Sequence, residues 1–380
     1  MKNRAIYLDY MATTPVDPLV ITEMSKYLGP EGEFGNPSSI THLYGRTAAR
    51  AVDEARLLLA ETIGAESNAI IFTSGATEAN NLAILGAARF YQNKGRHIIT
   101  MSTEHKTVLD SMHQLESEGF KVTYLDPRSD GLLDLSVFEQ ALRDDTILVS
   151  VMHVNNEVGV IQDIAAIGNL LRGRGIVFHV DAAQSAGKLA IDLQQLPVDL
   201  MSFSAHKIYG PKGVGALYIR QKPRIRLQAQ SFGGGQENGL RSGTLATHQI
   251  VGMGKAFALA YTYREEEQKR QLALRERLWA GIEHLPGVRL NGHREHRVAG
   301  NLNITFAGIP SQTLLTAFNG LALSTTSACE SMRLQPSYVL RALGLPAEDA
   351  YCAIRLSVGR FTTDNDVQQA IEIICNAGIY

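Results

Sequence analysis

The chain has 380 residues, 45% of them apolar, enough for a sizeable core and for one large α/β domain with a smaller one beside it. Lysine and arginine number 36 against 38 aspartates and glutamates, a balance that argues against a general nucleic-acid or membrane-surface role. No leader-like apolar run follows Met1, no stretch approaches the roughly 18–20 apolar residues that span a bilayer, and the three cysteines form no CxxC pair, so the expected home is a reducing cytoplasm.

A short strand at Ala5–Leu8 opens the chain, and from about residue 16 to 260 helical and strand-like segments alternate. Ala69–Thr73 reads as a strand, Thr77–Tyr91 as a helix, His97–Thr100 as a strand and 107–118 as a helix. Thr146–Met152 is a buried strand; a helix over 164–174 leads to strands at 176–180 and 200–204. Such alternation implies an α/β fold with a mostly parallel sheet covered on both faces. A charged helix is expected over 264–285, with Leu274, Leu278, Ile282 and Leu285 as its apolar stripe. Strands at 300–306 and 354–358 and a helix over 364–375 complete a smaller αβ unit. The expected division is a large unit, 16–260, and a small one made of 1–15 and 261–380.

The richest stretch runs from Ile176 to Gly215. An apolar strand ends in Asp181-Ala182-Ala183-Gln184, at the edge where open α/β sheets bind ligands. A carboxylate there can pair with a protonated pyridine nitrogen, as an electron-sink cofactor requires. After the next apolar strand stands Ser204-Ala205-His206-Lys207, and a lysine so placed can form a Schiff base with an aldehyde. Each has a bland reading: the aspartate as a cap or turn residue, the lysine as a solvated charge. Upstream, Ile71-Phe72-Thr73-Ser74-Gly75-Ala76-Thr77-Glu78 reads as strand, small-residue turn and helix start, a phosphate cradle or an ordinary capped helix.

These residues, with His153-Val154-Asn155-Asn156-Glu157, Arg241-Ser242-Gly243-Thr244 and Ser327-Ala328-Cys329, resemble the IscS/NifS cysteine desulfurases. The resemblance runs in order from Tyr7 to Thr363 and is nearest to the housekeeping IscS branch. It implies the aspartate-aminotransferase (type I) fold and pyridoxal phosphate as cofactor, with conversion of L-cysteine to L-alanine through a persulfide on Cys329. Lys207 would carry the cofactor and move the Cα proton, Asp181 would pair with the pyridine nitrogen, and Gln184 would bond the phenolic oxygen. His105 would stack on the ring and take the thiol proton. Ala76, Thr77, Ser204 and His206 would hold the phosphate, joined by Thr244 of the second subunit of a homodimer. Asn156, which also lines the cofactor, and Arg355 would hold the substrate carboxylate. The resemblance further implies a sulfur acceptor such as an iron–sulfur scaffold protein, or tRNA thiolation, with Cys329 in transient contact with a nascent cluster.

Cys352 and Cys375 read as small core hydrophobes. Cys329 lies in the polar run 324–331 and is expected in an exposed loop. The stretch from Cys329 to Pro336 is long enough for the thiol to swing, as in the long-loop branch of the family. Thr325-Thr326 departs from a Ser-Gly pair common there, Ala205 stands where glycine is frequent, and the chain stops at Tyr380, short of the usual C-terminal segment. The short end weakens the expectation of scaffold binding. His293 and His296 lack a third ligand nearby, so no metal site is expected, and Gly233-Gly234-Gly235 reads as a connection. A selenocysteine-lyase activity and a partner-binding paralogue with slow catalysis are the alternative readings.

Overall fold

The computed structural model describes residues 5–325 and 336–380. Its strands, in chain order, are β1 (Ile6–Tyr7), β2 (Ile70–Thr73), β3 (His97–Met101), β4 (Lys121–Leu125), β5 (Thr146–Ser150) and β6 (Val177–Asp181). Then come β7 (Leu200–Ser204), β8 (Gly215–Ile219), β9 (Val288–Leu290), β10 (Asn301–Phe306), β11 (Leu321–Ala322) and β12 (Ala353–Ser357). Seven of them form the main sheet in the order β2-β8-β7-β6-β5-β3-β4. All its neighbours pair in parallel except β8, which runs antiparallel to β2 and β7.

Side chains alternate across this sheet with the period of two that a strand imposes. Phe72, Ile99, Val149, Phe178, Val180, Met201 and Phe203 face one core, which is closed by helices Leu43–Thr62 and Thr247–Ile282. Ile71, Ile98, Leu148, Val177, Leu200 and Leu217 face the other, under Ala76–Tyr91 and Lys106–Ser117. Both faces being covered, the strands read as near-continuous apolar runs.

A third core lies under the antiparallel sheet β12-β10-β9, around Ile304, Phe306, Phe318, Leu356 and Ile374. The two-residue strand β1 pairs in parallel with β11 in a separate two-stranded sheet, and the Asp9–Ser357 bridge brings the start of the chain to β12. Helix Thr247–Ile282 serves both regions: Ile250, Met253, Ala256 and Phe257 enter the first core, and Leu274, Leu278 and Ile282 the third. At about 1.5 Å per residue it is some 54 Å long. It begins 17 residues before the expected 264, because Ile250–Ala260 is apolar or glycine apart from Lys255 and shows no clear stripe. Strands β4 and β8 and the helix Leu135–Ala141 were also not expected. Cys352 is buried as expected; Cys375 is only half-buried, its thiol directed to the carbonyl of Gly281 at 3.4 Å. Among the described residues no helix is long and apolar enough to cross a membrane.

His179, wholly buried on β6, bridges its neighbouring strands: Nδ1 meets Ser150 Oγ at 2.8 Å and Nε2 meets Ser202 Oγ at 3.0 Å. Burial lowers its imidazole to about 4, against about 6.5 in an unfolded chain. Between those values the unfolded chain binds a proton that the native state does not, so stability falls as pH falls through that window. Replacing His179 by Gln should flatten the dependence of urea-unfolding free energy on pH between about 6.5 and 4. His153, also lowered to about 4 by burial, keeps part of the slope.

Candidate active site

Strands β2, β3, β5, β6 and β7 run in one direction, so the residues that follow each of them emerge at one edge of the sheet. There they line a cavity of about 390 Å³. Ala76 and Thr77 follow β2, His105 follows β3, Asn156 follows β5, Asp181 and Gln184 end β6, and Ser204, His206 and Lys207 end β7. Arg355 reaches the same cavity from β12. Ten expected site residues thus meet in one space. Thr244 does not line the cavity of its own chain and is exposed. Cys329 lies outside the described residues.

The Asp181 carboxylate is buried and oriented on both oxygens: Oδ1 accepts from the backbone of Ala183 at 2.9 Å and Oδ2 from Asn80 Nδ2 at 2.7 Å. Lys207 Nζ donates to the carbonyls of Met11 and Ala12, both at 2.7 Å. Gln184 Nε2 donates to the same Met11 carbonyl at 2.8 Å, while its Oε1 accepts from Lys188 Nζ at 2.7 Å. Burial, and then the nearby cations Lys207 and Arg355, lowers Lys188 to about 7. Burial also holds His206 down at about 4, reinforced by Lys207, Lys212 and Lys188.

His105 caps the helix Lys106–Ser117, its Nδ1 accepting from the backbone of Thr107 at 3.2 Å. The neutral ring therefore carries its proton on Nε2. Burial lowers its pKa, countered by Asp181. The helix Ala76–Tyr91 starts without a side-chain cap, which leaves first-turn N–H groups for an anion. A Cβ on Gly215 would lie 2.6 Å from Gly75 Cα, so glycine at 215 allows this turn to seat against β8. Ala205 is accommodated in the same way: a Cβ on Gly210 would stand 2.9 Å from its Cβ.

Sequence reasoning missed Asn80, Lys188 and the Met11 and Ala12 carbonyls. Asn80 carried a signal, a polar side chain three residues after Thr77 on a helix face of Ala and Leu. The others depend on contacts between distant parts of the chain. With one oriented carboxylate, the amines of Lys207 and Lys212, the Arg355 guanidinium and an open helix N-terminus, the cavity suits a dianionic phosphate, a cationic ring nitrogen and a substrate carboxylate.

Comparison with known proteins gives the family. Residues 6–370 match the class-V aminotransferase family model. The cysteine desulfurase IscS of Tolumonas auensis is 60% identical over 369 residues, 97% of this chain and 91% of that protein. A NifS-like protein of solved structure superposes with a TM-score of 0.91 at 36% identity, covering 97% of this chain and 98% of its own. The structure of SspA in complex with cysteine gives 0.83 at 38% identity, covering 94% and 99%. The chain therefore belongs to the class-V aminotransferase family and, within it, to the cysteine desulfurases of the IscS type.

Proposed function

We propose that the chain holds pyridoxal phosphate in this cavity, converts L-cysteine to L-alanine and keeps the released sulfur as a persulfide on Cys329. The observation that carries this reading is the meeting of Lys207, Asp181 and the uncapped Ala76–Tyr91 helix start on one cavity. When bound, pyridoxal phosphate supplies an electron sink for a carbanion at the substrate Cα. Asp181 would hold the ring nitrogen protonated, and Ala76, Thr77, Ser204 and His206 would hold the phosphate. Gln184, its amide fixed by Lys188 and Met11, would donate to the phenolic oxygen. His105 would stack on the ring; with Nδ1 engaged by Thr107, taking the thiol proton there would require that cap bond to break.

Asn156 and Arg355 would orient the substrate carboxylate, and Lys207 would hold the cofactor and move the Cα proton. The Cys329 thiolate attacks the substrate sulfur: a sulfur–sulfur bond forms, the Cβ–S bond breaks, and its electron pair takes up a proton at Cβ to leave alanine. No external oxidant is needed, because the substrate carbon is reduced as the sulfur pair is oxidised.

The same reading makes the chain a homodimer in which Thr244 completes the partner's phosphate site. Supporting this, Leu19, Ile21, Phe34, Ile40, Leu43 and Tyr44 are each exposed within one short stretch of sequence, with the Phe34 and Tyr44 rings 5.4 Å apart, and Phe232 is 83% exposed. Large apolar groups concentrated like this mark an interaction surface. A division into units 16–260 and 1–15 with 261–380 places the boundary inside the long helix. A cytoplasmic location, and transfer of the persulfide to an acceptor such as an iron–sulfur scaffold, belong to this proposal.

Brief exposure to L-cysteine without reductant should add one sulfur atom to the Cys329 peptide and none to those of Cys352 and Cys375, read by peptide mass. An unmodified Cys329 peptide from cofactor-loaded, cysteine-treated protein would reject the persulfide. Cys329→Ala should keep the cofactor's visible absorbance and its response to L-cysteine yet release no sulfide, whereas Lys207→Ala should lose borohydride-trappable cofactor. Sedimentation should give twice the chain mass, and a monomer at micromolar concentration would rule out a shared site.

A further inference from the structure

Arg355 is 1% exposed, and a guanidinium so far from water needs a counter-charge. It has one. Nη2 donates to Asp9 Oδ1 at 2.8 Å, and Nη1 donates to the carbonyl of Asn156 at 2.7 Å. Nε has no hydrogen-bond partner among the described residues. Asp9 is not itself part of the cavity wall; it stands behind Arg355, 16% exposed at its side chain.

The backbone fixes this arrangement. Asp9 forms a parallel bridge with Ser357 on one edge of β12, and Ser324 forms an antiparallel bridge with Arg355. Ser324 Oγ then donates to Asp9 Oδ2 at 2.8 Å, so both carboxylate oxygens are engaged. The carboxylate is thereby held against the guanidinium by contacts that lie outside the cavity wall.

We propose that Asp9 is a positioning residue and resident counter-ion that shares Arg355 with the incoming amino-acid carboxylate and thereby weakens its binding. The inference rests on the reading of Arg355 as the substrate-carboxylate site. A guanidinium already half neutralised attracts a second carboxylate less than a bare one does. The free enzyme gains a stable, correctly oriented arginine; the cost is affinity for substrate and, equally, for the alanine that must leave.

The test uses the holoenzyme and two amine ligands that carry no thiol, L-alanine and L-alaninamide, which differ in the carboxylate alone. Binding is read by calorimetry and by the cofactor's visible absorbance. Asp9→Asn keeps the shape and an acceptor oxygen but removes the charge. It should bind L-alanine about tenfold more tightly than the unaltered protein, with L-alaninamide unchanged within about twofold. Ser324→Ala, which leaves the charge in place, should change neither affinity by more than about twofold. Weaker or unchanged L-alanine binding by Asp9→Asn, or equal changes for both ligands, would overturn the proposal. If Asp9→Asn does not fold by itself, recovery by L-alanine and not by L-alaninamide supports it, and recovery by both or by neither overturns it. Arg355→Lys separates the two levels: if it leaves the preference for L-alanine over L-alaninamide intact, the assignment of Arg355 itself fails.

Discussion

The ladder between β6 and β7 is the constraint on which the rest of the site depends. Its parallel register sets Asp181 opposite Ser202, so both strands end at the same edge. The carboxylate at the end of one and the lysine just beyond the other are therefore held across one row of backbone hydrogen bonds. A parallel ladder of this kind is stable only when both faces are covered. The helices on either side of the sheet are accordingly part of what aligns the two groups. His179 adds a side-chain tie across the same strands by engaging serines on β5 and β7.

What could be read from the amino-acid sequence followed from burial. Val177–Asp181 and Leu200–Ser204 are apolar runs ending in polar residues, and their order along the chain is enough to bring Asp181 and Lys207 to one edge. The edge strand β4 was harder to see because Lys121 is exposed and Val122, Thr123 and Tyr124 are only half-buried, which blurs the apolar pattern. The first half of the long helix was hidden for the opposite reason, since between Ile250 and Ala260 only Lys255 is polar and no stripe stands out. The pairs that orient the site were beyond local reasoning. Asp9 and Arg355 are 346 residues apart, Asn80 and Asp181 are 101 apart, and no periodicity encodes such a meeting.

The long helix Thr247–Ile282 gives the two sheets a common support. Its first half packs with the large sheet's core and its second half with the small sheet's core, which also holds β12. Arg355, carried by β12, is thus referred to the β6–β7 edge through one continuous rod as well as through the chain's first residues. A second tie runs through Arg360, just beyond β12, which pairs with Asp17 and Glu267 and lies over the Tyr209 ring at 4.1 Å. Tyr209, two residues after Lys207, has a φ of 66°, a conformation unusual for a residue with a side chain. Its backbone is held by Thr14, whose Oγ1 accepts from the Tyr209 amide at 2.8 Å.

The carbonyls that receive Lys207 belong to Met11 and Ala12, and the segment just before them is docked on β12 through Asp9 and Ser357. On a ribosome the first dozen residues emerge long before β12 exists. The lysine can be synthesised, and even reach its sheet edge, while the surroundings that hold it are still missing. The segment around Asp9 and β12, some 346 residues further along, must meet before the site is whole, so competence arrives only after β12 has been made. A nascent segment that stops short of β12 would thus carry the lysine without its finished setting, which delays the chemistry until β12 has docked.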